Sequence, residues 1–594
     1  MRVSSTFRFC GVLLGLSLVA PAAMPQNAQA ADLQQADAAF HAGYAAVATG
    51  DLASARNNFQ IVVRLAPDLE EGHSALGAVL YQQKAYVEAI GELTRALSIK
   101  PDDRTAAENL AMCYVETAGF KDALALFQKL SPDSSLLAPD LLAGYARAEA
   151  ATGQYSSAID HMEVAVSASP GNAALIDALG SLYAQQQNWP LADKAFQQAM
   201  QTDPNFALAH LHRGIALENE QRATPANTDL LQQALDELSR AAQLDPQNAV
   251  AELELGKALA TAGRDEDAIL RFQQALKLSP SLTDADNELA MALQRTGAVQ
   301  DAIPLFEQVV AVQPQNTAAI SNLALALVQT GKAKDAVSYA QRVLSIAPND
   351  PGAHQILGVA YLQQSNVDDA LREFRAALAV TPDNPQLHYN LGLALKLKDD
   401  LPDAVKELEE AARLDPESPD APYTLGILYM QTGRFDEAVK NLTQSLERRP
   451  GNGDGWAVLG SVYRQQGKNE DAANALRKAI DLLPNQPGPH ITLASVLQDE
   501  GKKDEAAAER RKAADLTRVA VNRQRAQFAT NAANSYLEKG QIADAVTHYQ
   551  DAINSDPTFA EAHRQLAIAY EREGRAADAA NERAVAAKLE TQHP

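Results

Sequence analysis

A 34-residue repeat fills almost the whole chain of 594 residues and restricts its fold more than any other feature. Within residues 453–486, Trp456, Gly460, Ala472 and Pro484 stand at offsets that recur every 34 residues. A period of this length indicates tandem structural units that pack on their neighbours. Sixteen copies begin at Ala36, Glu70, Arg104, Pro139, Ala173, Ala207, Ala249, Thr283, Thr317, Pro351, Pro385, Pro419, Gly453, Pro487, Ala526 and Ala560.

Each copy has the pattern of two helices joined by a tight turn. A glycine such as Gly263 or Gly433 separates the two helical periods, and a proline commonly ends the second. The eighth position is Gly or Ala, and the twentieth is Ala, in all sixteen copies. Small residues there let two helices approach closely while larger apolar residues fill the space around them. The sequence therefore predicts stacked helical hairpins.

This pattern resembles the tetratricopeptide repeat family, with Trp456, Leu459, Gly460, Ala472 and Pro484 among the matching residues. The resemblance covers nearly all of the chain after the first 30 residues. It implies an all-α fold, an α-solenoid in which tandem hairpins form a right-handed superhelix, with the first helix of each pair lining the concave side. Such arrays bind other chains and rarely catalyse, so we expect no enzyme activity, no catalytic residues and no cofactor.

The N-terminus has the features of a secretory signal peptide. Arg2 and Arg8 precede an apolar run over residues 9–20, and small residues follow up to Ala30. The run is too short to span a bilayer comfortably. We expect removal of residues 1–30 and a soluble protein in the periplasm or outside the cell. An uncleaved membrane anchor is the alternative.

Charge and cysteine content exclude several classes of function. The chain carries a formal net charge of −24, which repels nucleic acid and anionic lipid headgroups as a whole. Of its two cysteines, Cys10 lies in the predicted signal peptide, so no internal disulfide is expected in the mature protein. Cys113 is expected to be a buried, inert thiol, with a redox role as the alternative.

The repeat pattern is disturbed at two places. The sixth copy has about eight extra residues near Gln221 to Thr228, which predict a surface loop. This loop either protrudes to touch a partner or is a tolerated surface insertion. Residues 502–538 contain neither Gly nor Pro and predict one long helix between copies fourteen and fifteen. We therefore divide the mature chain into residues 31–520, with repeats 1–14, and residues 521–594, with repeats 15–16 and a polar C-terminal cap.

The long segment also carries an unusual charge. Between Lys502 and Arg525 there are eight basic and four acidic side chains, in a strongly acidic protein. This excess could contact an acidic partner, or it could be a solvated helix face that marks a seam between the two sub-arrays.

The histidines indicate packing and no metal site. Six of the eleven fall on the fourth repeat position, one in each of six copies, and no zinc, phosphate-loop or dinucleotide motif is present. The six are His73, His210, His354, His388, His490 and His563.

A peptide-binding groove is the sharper hypothesis. In the family, the second, fifth, ninth, twelfth and thirteenth positions usually face the concave side. In repeats eight to twelve the ninth position is apolar throughout, and apolar residues also occur at the fifth and twelfth positions. An apolar strip of this kind suits an extended or helical peptide. The alternative is that these side chains fill gaps between first helices. The candidate residues are Met291, Leu325, Val328, Val359, Leu362, Tyr389, Leu393, Tyr423, Ile427 and Met430.

Two functions from different classes follow. The first is an exported scaffold or adaptor that binds partner proteins or peptides in its concave groove within an envelope complex, without stable membrane insertion. The alternative is a periplasmic scaffold subunit of a polysaccharide or protein export apparatus. Glutamines at the thirteenth position, such as Gln363 and Gln431, could bind either a peptide or a glycan.

Overall fold

The computed structural model describes residues 26–130, 137–224 and 229–592. Over these ranges the chain forms helices and no strand, which confirms the predicted all-α fold. Residues 1–25 of the predicted signal peptide lie outside the described part, and residues 26–30 begin the first helix. The helices fall into two compact units, which divide after Pro314.

The first unit contains sixteen helices over the described ranges. They are α1 Gln26–Thr49, α2 Leu52–Leu65, α3 Glu70–Gln82, α4 Tyr86–Ile99, α5 Arg104–Glu116, α6 Phe120–Leu130, α7 Pro139–Ala151, α8 Tyr155–Ala168, α9 Ala173–Gln185, α10 Trp189–Thr202, α11 Ala207–Ala223, α12 Asp229–Leu244, α13 Ala249–Thr261, α14 Asp265–Leu278, α15 Thr283–Arg295 and α16 Val299–Val312.

The second unit contains fifteen helices over the described ranges. They are α17 Thr317–Gln329, α18 Ala333–Ile346, α19 Pro351–Gln363, α20 Val367–Val380, α21 Pro385–Leu397, α22 Leu401–Leu414, α23 Asp420–Gln431, α24 Phe435–Arg448, α25 Gly453–Gln465, α26 Asn469–Leu482, α27 Pro487–Asp499, α28 Lys503–Glu538, α29 Ile542–Ser555, α30 Ala560–Arg572 and α31 Ala576–Gln592.

Local chemistry sets the helix boundaries. Thirteen of the sixteen predicted repeat starts coincide with the first residue of a helix. Asparagine side chains at Asn172, Asn248 and Asn384 accept hydrogen bonds from backbone N–H groups two and three residues later, which satisfies donors that a helix start leaves open. Gly263 ends α13 with φ +73°, where a side chain would be strained.

The small residues inside each hairpin have the predicted effect. Consecutive helices pair, as α19 does with α20, and neighbouring pairs stack within each unit as an α-solenoid. A Cβ atom on Gly358, at the eighth position, would lie 2.4 Å from Cε1 of Phe374. Ala370, at the twentieth position, is fully buried. The predicted close approach of the two helices is therefore confirmed.

The insertion in the sixth copy differs from the prediction. Instead of a loop from Gln221, α11 continues to Ala223, and residues 225–228 lie outside the described part. Arg222 and Glu218 form an ion pair of 2.5 Å one turn apart, which supports the additional helical turn. Four of the extra residues thus lengthen α11, which has 17 residues instead of 13.

The long helix between copies fourteen and fifteen is confirmed as α28, which has 36 residues and passes through residue 520 without a break. Cys113 is fully buried on α5, and burial raises the pKa of its thiol to about 12. No helix within the described ranges is long and apolar enough to cross a membrane.

Candidate peptide-binding groove

The ninth-position residues of the second unit lie on its first helices. Leu325 is on α17, Val359 on α19, Leu393 on α21 and Ile427 on α23; α17 contacts α19, and α19 contacts α21. Leu325 is 39% exposed, and the other three are half-buried. This row therefore offers apolar surface on successive repeats. Met291, on α15 of the first unit, is also half-buried.

The fifth- and twelfth-position candidates are more deeply involved in packing. Leu362, Tyr389, Tyr423 and Met430 pack against the core cluster built from α20 to α26, as does Val359 of the ninth-position row. The Tyr389 hydroxyl lies 3.5 Å from the hydroxyl of Thr424 on α23, so it touches the next first helix. Burial, with the charge of Asp454 as a smaller cause, raises the pKa of Tyr423. These side chains fill space between helices and present only part of their surface.

Val328 is only 5% exposed and lies in the interior of the second unit. Its backbone carbonyl accepts a 3.0 Å hydrogen bond from the Gln363 side-chain amide, one repeat later. Arg572 donates to the carbonyl of Leu537, 3.3 Å away, at the equivalent positions. The thirteenth position can thus tie two successive first helices together, which the sequence pattern did not indicate.

Tyrosine hydroxyls provide a second link between helices that the sequence analysis missed. Tyr429 on α23 is 2% exposed, and its hydroxyl donates to Glu409 on α22 over 2.5 Å. Burial and this hydrogen bond raise the pKa of Tyr429 to about 12. Tyr183 contacts Glu163 in the same way at the same spacing of 20 residues. The recurring spacing is the signal that could have revealed the link.

The six fourth-position histidines have a common set of partners. In every case Nδ1 lies 2.5–2.7 Å from a glutamate on the second helix of the same hairpin. In five of them Nε2 also lies 2.8–3.5 Å from the carbonyl oxygen of the proline six residues earlier. Both partners are acceptors, so the ring donates to both only when both nitrogens carry protons. The glutamates are Glu92, Glu237, Glu373, Glu407, Glu509 and Glu582.

Two other residues at the fourth position each keep one half of this interaction. Trp456 replaces the histidine in copy thirteen, and its indole N–H donates to the carbonyl of Pro450 over 2.9 Å. In copy seven the charges are exchanged, since Glu252 pairs with Arg271 at 3.3 Å. In five copies the fourth-position histidine therefore joins the two helices and the preceding turn. Within the described ranges, no cluster of three possible metal ligands occurs.

We expect replacement of His388 by Ala to destabilise its hairpin by about 1–3 kcal/mol, because Glu407 and the Pro382 carbonyl lose a partner at a largely buried site. A double-mutant cycle with Glu407→Ala measures the coupling, expected at about 0.5–3 kcal/mol, by hydrogen exchange of the α21–α22 amides. His41, whose side chain is 71% exposed, provides the control His41→Ala. Additive effects of the two single substitutions would contradict this expectation.

Family models match most of the chain. Models described as tetratricopeptide repeat match residues 40–104, 80–136, 178–236, 226–282 and 293–360, and one described as TPR repeat matches residues 533–574. A model described as the C-terminal domain of cilia and flagella-associated protein 70 matches residues 328–529. The comparison with curated proteins gave no match.

Several solved structures are similar over long stretches. The Cut9–Hcn1 hetero-tetramer of the APC/C matches at 16% identity and a TM-score of 0.37, covering 90% of this chain and 96% of that one. Yeast Tom70 matches at 16% identity and a TM-score of 0.35, covering 76% and 96%. YrrB, described as a TPR protein with an unusual peptide-binding site, matches at 22% identity and a TM-score of 0.30, covering 35% and 99%.

Proposed function

Because this chain belongs to the tetratricopeptide repeat family, we propose that it is a scaffold that binds partner proteins or peptides along the first helices of its repeats. One observation carries the proposal: Leu325, Val359, Leu393 and Ile427 present a row of partly exposed apolar side chains, one on each of four successive repeats. Apolar surface that recurs along a rigid array suits a partner segment running across the repeats.

Polar side chains border this row. Gln363 and Gln431 are exposed, and Lys396 is half-exposed. An apolar strip with a polar border can hold a peptide by burying its apolar side chains while its backbone hydrogen-bonds at the rim. The mechanism is binding alone, without a covalent step.

The scaffold acts, in this proposal, after export to the periplasm or the outside of the cell. The charged start, the short apolar run and the small residues before Ala31 support export and cleavage near Ala30. N-terminal sequencing of the protein recovered from cell fractions tests this part. A chain that keeps Met1 in the cytoplasmic fraction would contradict it.

The groove is tested with Leu325→Gln, Leu393→Gln and Ile427→Gln combined. These positions are preferred to Tyr389 and Tyr423, whose packing makes their replacement a test of folding as well. We expect at least a tenfold loss of partners in affinity capture with in-cell crosslinking, because three apolar contacts are removed together.

The control changes three apolar residues on second helices, Ile346→Gln, Val380→Gln and Leu482→Gln, which are 39–46% exposed. Circular dichroism establishes that both variants keep their helix content. If the groove variant captures the same partners as the parent chain, the row serves packing and the scaffold binds elsewhere. If the captured partners are components of an export apparatus, the alternative of an export scaffold subunit takes precedence.

A further inference from the structure

The long helix α28 interrupts the packing of hairpins in the second unit. Ala506, near its start, belongs to a core cluster with α26 and α27, whereas Ala526 belongs to another with Ala552 and Ala562. Between residues 507 and 525 only Ala513 is buried. In a regular repeat, a turn after the second helix lets the next first helix pack on the preceding first helix. Because α28 continues as one helix, that turn is missing and the facing side of α27 is left uncovered.

The uncovered face forms a cleft of about 570 Å³ between α27 and α28. Its apolar lining comes from Ile491 on α27 and from Ala513, Ala514 and Val521 on α28. Ile491 stands at the fifth repeat position and is 53% exposed. At the same position in copies six and seven, Leu211 and Leu253 are 4% and 3% exposed and belong to a shared core cluster, and Tyr389 and Tyr423 in copies eleven and twelve are half-buried. The missing cover thus leaves Ile491 more exposed than these large apolar residues at the same position.

The lined face of the cleft has about the length of one first helix. Arg510, Ala514, Thr517, Val521 and Arg525 line it and follow helical spacing along one face of α28. From residue 510 to residue 525 this face is about 22 Å long, at 1.5 Å per residue. A regular first helix of 13 residues, such as α27, is about 20 Å long by the same rise. The length of this face therefore matches that of the first helix that would cover it in a regular copy.

The positive charge around the cleft favours a partner helix with acidic side chains. Arg510, Arg518 and Arg525 border it, in a segment with eight basic and four acidic side chains between residues 502 and 525. Arg518 pairs with the exposed Asp515 of its own helix, and Arg525 has no ion pair with any carboxylate of the described residues. The remainder of the chain is strongly acidic, so this is a local reversal of charge. Carboxylates of a partner would complement it.

We propose that this cleft binds an acidic amphipathic α-helix of a partner protein, which occupies the place of the missing first helix. The apolar face of that helix covers Ile491 and Val521, and its glutamates or aspartates pair with Arg518 and Arg525. A second copy of this chain is a less suitable occupant, because two chains of net charge −24 repel each other. The cleft is separate from the groove on α17 to α23. A negative result for one of these two surfaces therefore does not affect the proposal for the other.

The test uses the full-length chain and two labelled synthetic peptides of 16 residues. Both peptides form a helix with leucine and alanine on one face; one carries glutamates at its flanks and the other carries lysines at the same positions. Fluorescence anisotropy measures binding at low and moderate salt. We expect saturable binding of the glutamate peptide that weakens as salt is added, and no saturable binding of the lysine peptide.

Two variants with the same change in net charge locate the site. Arg518→Glu with Arg525→Glu is expected to weaken binding at least tenfold, whereas Arg511→Glu with Lys512→Glu, on the same helix but outside the cleft, is expected to leave it within twofold. Ile491→Asp, at an exposed position, is expected to weaken binding without loss of helix content.

Absence of saturable binding of the glutamate peptide overturns the proposal, as does equal binding of both peptides or an equal effect of the two charge variants. Two further measurements test other occupants of the cleft. Binding to vesicles containing one quarter phosphatidylserine tests a membrane surface, and sedimentation of the free chain tests a second copy. Vesicle binding that depends on Arg518 and Arg525, or a dimer abolished by Ile491→Asp, would assign the cleft to a membrane surface or to a second copy and would equally overturn it.

Discussion

Truncation of Phe374 to alanine is expected to lower the local free energy of unfolding of α19–α22 by about 3–5 kcal/mol. The Phe374 side chain is fully buried, and its ring lies against Gly358, where even one added carbon would come within 2.4 Å. Its other close neighbours include Ala370 and Ala377, which are too small to fill the space that the ring leaves. The loss therefore combines removal of apolar burial with a cavity.

Hydrogen exchange of the full-length chain, read by mass spectrometry, is the appropriate measurement, since a long repeat array need not unfold in a single step. Phe528→Ala is the matched control: it makes the same chemical change at a residue that is 67% exposed, and we expect an effect within about 0.5 kcal/mol. Equal effects of the two substitutions would show that burial of the Phe374 ring does not stabilise its hairpin.

The second large effect is a fall in the stability of the α3–α5 region as pH rises above about 4.5. Glu70, the first residue of α3, is 6% exposed. Burial, together with the hydrogen bond and negative charge of Asp103, raises the pKa of Glu70 to about 8, although Lys100 acts in the opposite direction. Asp103 caps α5, and hydrogen bonds from Glu70 and Ser74 hold its pKa below its usual value despite its burial.

The sign follows from the folded state holding the Glu70 proton more tightly than the unfolded chain. Its contribution to stability is fully present below pH 4.5 and is lost as pH rises through 8, with a slope of at most roughly 1.4 kcal/mol per pH unit. Asp103 has the opposite dependence, but its contribution is lost only at more acidic pH, so Glu70 dominates this window.

Glu70→Gln separates this effect from other titrations. Glutamine can donate the hydrogen bond to Asp103 without acquiring a charge, so we expect the variant to match the parent near pH 5 and to exceed it in local stability at pH 8. Hydrogen exchange of the α3 and α5 amides, corrected for its intrinsic dependence on pH, measures the difference. A constant difference between variant and parent across this range would refute the assignment.

The fold could be predicted far more completely than the candidate site. The starts of helices follow from local signals, such as Pro351 at the first position of α19 and the caps formed by Asn248 and Asn384. The absence of Gly and Pro predicted α28 for the same reason. The loop predicted from Gln221 was wrong at its start, because α11 continues to Ala223 with an ion pair between Arg222 and Glu218 in its added turn.

In the candidate groove, repeat position did not predict exposure. Leu325 and Val328 are three residues apart, both aliphatic and both at positions assigned to the groove, yet one is 39% exposed and the other 5%. Their difference depends on which side chains of neighbouring helices reach them, and repeat position alone does not specify this. Repeat position also did not predict the hydrogen-bond partners of His388, Tyr429 and Gln363. Each partner lies 19 to 35 residues away in the sequence.

The sequence by itself determined the repeat period, the helical hairpins and the position of the uninterrupted helix, because glycine, proline, caps and small residues act over a few neighbouring positions. Only the tertiary structure decided which apolar side chains remain at the surface. The clearest case is Ile491, whose exposure arises because α28 does not turn back to cover it. Burial is a property of what packs on a residue, and that is determined by elements distant in the chain.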